Sequence, residues 1–190
     1  MAINRRDFIQ RGLGGASLAL AFDIGGGVFL LTPGEARAQA VRLRNLAAAE
    51  AAGLERLADA LLPGAAAAGL THFIDHQLGV DPDACLLIAK YFQVPPPYAD
   101  FYRTGLAECE RLARLESPQG LAGLGEEALR SVILAIGKPG TKTAEGFDLS
   151  LFYLCLRSDA VDVVYGTPAG FEKLNVPYMA HIVPPEGWNG

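Results

Sequence analysis

"GFDLSLFYLCLRSDAVDVVYG", Gly146 to Gly166, is the most apolar stretch in the second half of the chain and the one whose reading decides the fold. It is too long for a strand, and it carries no glycine or proline between its end glycines. It reads as one buried helix, or two joined near Ser158, at the centre of a helical bundle. The neighbouring segments repeat the theme. "LRNLAAAEAAGLERLADALLPG" sets Leu46, Leu54, Leu57 and Leu61 on one side before Pro63-Gly64 stops it. "LTHFIDHQLG" is shorter, with Phe73, Ile74 and Leu78 on its apolar face. In "DPDACLLIAKYF", Asp81 as N-cap and Pro82 at the first helical position predict a helix that ends before "VPPPY". "YADFYRTGLAECERLARLES" aligns Phe101, Leu106, Cys109, Leu112 and Ala113, and "GLGEEALRSVILAIGKPG" starts acidic and closes at Gly137 and Pro139. Strand alternation is nearly absent from these segments. The expectation is an all-α, irregular helical bundle with a Pro/Gly-rich, apolar C-terminal arm.

That arm starts at Gly166. It holds four prolines and four glycines, yet also Phe171, Leu174, Val176, Tyr178, Met179, Ile182 and Trp188. Disordered tails are poor in such residues. It either folds back over the bundle or lies along a partner protein.

At the other end, "NRRDFI" puts Arg5 and Arg6 directly before Phe8, followed by an apolar run from Gly12 to Leu31. Six glycines and Asp23 dilute the run, so it makes a poor permanent anchor. Pro33-Gly34 ends it, and Ala36, Ala38 and Ala40 offer small residues at the spacing a signal peptidase uses. The pattern resembles a twin-arginine signal peptide, which exports folded cargo to the periplasm. The expected division is therefore 1–40 leader, 41–165 helical domain, and 166–190 extended arm.

Composition narrows the function. The chain has 21 acidic against 16 basic residues and no basic block, which argues against nucleic acid as a partner. Charged residues form 19% of it, below the usual share of about 25%, a hint that part of the surface is covered. Cys85, Cys109 and Cys155 lie far apart in apolar stretches and read as three buried thiols. No dinucleotide fingerprint, phosphate loop or nucleophile elbow stands in the chain after the leader. The metal candidate is "HFIDH", where His72 and His76 are one helical turn apart beside Asp75, with His181 as a further donor. The blander alternative puts both histidines on the outer side of an amphipathic helix.

Taken in order, "LADALLPG", "GLTHFIDHQLG", "YRTGLAECERLAR", "GFDLSLFYLCLRSD" and "DVVYGTPAGFEKLNVP" resemble the small subunit of FAD-dependent gluconate 2-dehydrogenase and related sugar and alcohol dehydrogenases. The resemblance runs from about Leu46 to Trp188. It departs at Thr167, where a second glycine is frequent, and at Gly170-Phe171, where Gly-Trp is common. It implies a subunit with no catalytic residue and no cofactor of its own. Its partner would be a large FAD-binding subunit of the glucose–methanol–choline type, exported on the small subunit's twin-arginine signal. A third subunit with c-type haem commonly accepts the electrons and would tie the complex to the membrane. On this resemblance the partner interface comprises Tyr165, Gly166, Gly170, Phe171, Pro177, Tyr178 and Trp188. Two other readings stay open: an exported metal protein or enzyme built on His72, Asp75 and His76, and an assembly factor tethered by an uncut signal.

Overall fold

The computed structural model describes residues 18–175. Among them the chain is mainly helical, as the segments predict, with one small hairpin added. Strands β1 (Leu20–Ile24) and β2 (Gly27–Leu31) pair antiparallel, Phe22 opposite Phe29 and Leu20 opposite Leu31. Gly25 and Gly26 turn the hairpin with φ of +61° and +83°, a conformation that two adjacent glycines adopt without strain. The apolar run read as a leader thus becomes, from Leu20 on, a strand pair that buries Leu20, Phe22 and Leu31.

Helix α1 (Pro33–Ala38) follows at once, opened by a capping box. Thr32 Oγ1 accepts from the Glu35 N–H, and the Glu35 carboxylate accepts from the Thr32 N–H. Helix α2 (Ala48–Leu61) buries Ala51, Leu54, Leu57, Ala58 and Leu61, the stripe its spacing predicts. Helix α3 (Leu70–Leu78) buries every residue from Leu70 to Asp75, and Gln77 as well. Helices α4 (Tyr98–Arg114), α5 (Glu126–Gly137) and α6 (Leu149–Tyr165) complete the bundle, and a short α7 (Pro168–Lys173) caps the end of α6.

The apolar stretch is a single helix, α6, capped by the Asp148 carboxylate on the Leu151 N–H. Phe152 reaches α4 because Gly105 leaves room: a Cβ there would stand 2.2 Å from the Phe152 ring. Phe101, Tyr102, Phe147 and Phe152 form one aromatic cluster with ring centroids 5.4–6.4 Å apart. Tyr102 and Phe152 are fully buried, worth about 1.5–3 kcal/mol each, whereas Phe101 and Phe147 are half-buried.

Three expectations need correction. The helix predicted over 81–92 is absent. Residues 81–84 form a turn closed by Asp81, Cys85 to Leu87 have no regular structure, and only Ile88–Lys90 coil into a 3₁₀ turn. Side chains from other helices explain this. Gln77 Oε1 accepts the Leu86 N–H at 2.8 Å and Asp159 Oδ1 accepts the Ile88 N–H at 3.0 Å, holding both groups out of a helical ladder. Second, α6 sits at the centre of the bundle as expected, packed on α2 to α5, α7 and the 3₁₀ turn, but it is not wholly buried. Leu154 and Val161 face out, and α3 is the helix with the smaller exposed share. Third, the arm expected from Gly166 begins as a helix. Thr167 caps it by accepting the Gly170 N–H, with Pro168 at the first position.

Candidate functional site

Two buried acids organise the irregular parts of the molecule. On α3, Asp75 aims its carboxylate at three consecutive backbone N–H groups. Those of Arg44, Asn45 and Leu46 donate to it at 2.8–3.1 Å, and Asn45 Nδ2 returns a bond to the Asp75 carbonyl at 2.7 Å. Successive N–H groups curled in this way form an anion-binding nest, here filled by the protein's own side chain. The two histidines beside it are wired to the same stretch of chain. His72 Nε2 donates to the Val41 carbonyl at 3.0 Å, and His76 Nε2 donates to the Ala21 carbonyl at 3.1 Å with its ring against Phe22. Burial lowers the His76 pKa, opposed by the Ala21 carbonyl and Asp75.

The outer position expected for His72 is therefore corrected: it is 9% exposed, since residues 18–46 cover that face. His72 and His76 share the α3 side that meets this segment, but Asp75 turns to the nest between them. Among the described residues, no three His, Cys, Asp or Glu side chains stand together as a metal site. His181 lies outside the described residues.

The second acid, Asp159 on α6, is fully buried. It accepts the Tyr102 hydroxyl from α4 and the Ile88 N–H from the 3₁₀ turn. Desolvation pushes its pKa up to about 7, against the lowering pull of those two donors, with Asp162 adding to the rise. Tyr102 is raised well above its usual value, first by burial and then by Asp159. Asp159 went unnoticed in the sequence, though a signal exists. It falls in phase with Phe152, Leu156 and Val163 on the buried face of α6, and a charge at a core position needs a partner.

The three cysteines are buried free thiols. Burial, with lesser help from neighbouring acids, raises Cys109 and Cys155 to about 12. That leaves none of the thiolate character a nucleophile requires.

Outside the segment pinned by Asp159 the surface is apolar. Leu86, Tyr91 and Phe92 are 43%, 66% and 45% exposed; Leu154 and Val161 are also exposed, but on a face of α6 turned away from Asp159. The 3₁₀ turn and α7 both pack on α6. Of the interface residues expected from sequence, Tyr165 and Phe171 are half-buried, Gly166 is exposed and Gly170 is buried. A Cβ on Gly170 would lie 2.5 Å from the Tyr165 backbone, so that glycine serves the close packing of α7 on α6. Pro177, Tyr178 and Trp188 lie outside the described residues, as do the targeting residues Arg5, Arg6 and Phe8. Leu86, Tyr91 and Phe92 were missed as surface candidates because the sequence placed them in a helix.

A family model described as gluconate 2-dehydrogenase subunit 3 matches residues 48–184 of the chain. No curated protein and no solved structure matches it.

Proposed function

The chain belongs to the gluconate 2-dehydrogenase subunit 3 family, an accessory subunit of a dehydrogenase complex, and from that membership we propose that its task is escort and stabilisation. In this reading it docks on a large FAD-binding subunit of the glucose–methanol–choline type, which oxidises a CH–OH group of a sugar or alcohol. The folded pair crosses to the periplasm on the twin-arginine signal of this chain, and a c-type cytochrome subunit takes the electrons. FAD and haem belong to the partners; this chain supplies surface and address.

The family match carries the reading, and two features of the molecule support it. The buried thiols and wired histidines serve the fold. The exposed apolar residues at Leu86, Tyr91 and Phe92, with the arm through Tyr165, Gly166 and Phe171, suit a protein partner. The interface is proposed to continue through Pro177, Tyr178 and Trp188.

Replacing Arg5 and Arg6 together by Lys tests the escort. Both this chain and the flavoprotein should remain in the cytoplasm, read by fractionation and by flavin absorbance of the periplasmic complex. A flavoprotein that reaches the periplasm without this chain's signal would refute it.

A further inference from the structure

The folded segment that starts at Leu18 overlaps the leader expected to end at Ala38 or Ala40. We infer that residues 18–46 are a permanent part of the mature domain, an N-terminal cap over α3, and that any leader removed from this chain ends before Leu18. This does not rest on the escort reading.

Both sides of the contact are shaped for it. The backbone of α1 crosses the loop before α3 at two facing glycines. A Cβ on Gly69 would stand 2.2 Å from the carbonyl of Pro33, and one on Gly34 would stand 3.2 Å from the Ala67 carbonyl. The Gly69 side leaves no room for a side chain, and the Gly34 side leaves only a tight fit. Leu20, Phe22, Leu31 and Ala36 are buried in the same core as α3. Polar contacts bind the two parts as well: His76 to the Ala21 carbonyl, His72 to the Val41 carbonyl, and Arg37 to Glu55 of α2 at 2.5 Å. A stretch destined for removal has no need of such complementarity, and its loss would expose the apolar and imidazole face of α3.

The bonds themselves are poorly presented. Peptidases bind the residues before the cut as an extended strand. Here Ala36 is buried inside α1, Ala38 is the last residue of that helix, and Ala40 has a φ of +50°. The cap also limits what the apolar run can do in a membrane. With Leu20 to Leu31 paired as a hairpin, 13 residues separate Arg6 from Leu20, too few for a bilayer span of about 20. The hairpin and a membrane helix through the same residues exclude each other.

The test begins with the intact mass of the chain purified from its native host, in whatever complex it forms. The expected mass corresponds to an N-terminus at Leu18 or upstream. A chain starting at Gln39 or Val41 overturns the inference. The second measurement is the melting temperature of that purified protein carrying Phe22→Ala and Leu31→Ala. A retained cap loses two core side chains, and the midpoint should fall by about 10 °C. An unchanged midpoint would equally overturn the inference. Whether a flavoprotein accompanies the chain is a separate readout, so failure of the escort reading leaves this result interpretable.

Discussion

Segments 41–46 and 85–92 are held by the same device and end in opposite surroundings. Each is an irregular stretch whose N–H groups are taken by a buried acid on a helix, Asp75 for the first and Asp159, with Gln77, for the second. Outside the first lies more of the same chain: the hairpin, the Arg44–Asp23 ion pair, and Arg103 donating to the Asn45 carbonyl at 2.7 Å. Outside the second lie Leu86, Tyr91 and Phe92 and no further element that buries them among the described residues. The first loop closes the protein's own core; under the proposed escort function the second presents a surface to the partner. Rigid presentation spares a docking surface the entropy of ordering it on contact.

The sharpest way to break the comparison is Asp75→Ala. It leaves three backbone N–H groups facing an apolar side chain, with Leu46 unable to turn to water, and should cost about 3 kcal/mol. Urea denaturation measures it. A loss below about 1 kcal/mol would mean that the hairpin, not the nest, holds segment 41–46.

Next comes Tyr102→Phe, which removes one donor from Asp159 and should cost about 1–2 kcal/mol. Hydrogen exchange at Ile88 should quicken, whereas exchange at Leu46 should not. Equal change at both would show that the two loops are not independently held.

Asp159→Asn sharpens the contrast through pH. Burial raises the folded acid to about 7, above its unfolded value near 4. Its contribution is complete below pH about 4 and declines up to about 7, because the unfolded form ionises first. Melts across that range should show this decline in the native protein and its absence in the Asn variant, whose amide still accepts from Ile88. A decline of the same size in both would assign it to other groups.

The smallest effect on stability, and the most telling for function, is expected for Tyr91→Ser with Phe92→Ser. Both side chains are exposed, so the unfolding free energy should change by no more than about 1 kcal/mol for the pair. Recovery of the large subunit with this chain should fall at least about tenfold. Undiminished recovery would move the interface away from this loop.

Much of the fold was legible because its signals are local. The stripe of α2, the aligned residues of α4, the acidic start of α5 and the Asp148 cap of α6 each depend on residues within a few turns of one another. The failure at 81–92 has the opposite cause. Asp81-Pro82 is a sound helix start, worth about 1 kcal/mol, but Gln77 and Asp159 offered the Leu86 and Ile88 N–H groups better-placed acceptors from elsewhere in the chain. The candidate site fared likewise. Three buried thiols followed from their apolar neighbours, whereas Asp159 was passed over because its partners, Tyr102 and Ile88, are 57 and 71 residues away.

By itself the sequence determined the helical class, the limits of most helices, the buried cysteines and the family resemblance, since periodicity, caps and motif order are written in adjacent residues. Only the tertiary structure decided that "HFIDH" serves the fold, with Asp75 in a backbone nest and both histidines on carbonyls. It alone turned the apolar run before residue 40 into a hairpin over α3. The reason is physical: an apolar residue or an imidazole states that it needs a partner, and only the folded chain says which one it meets.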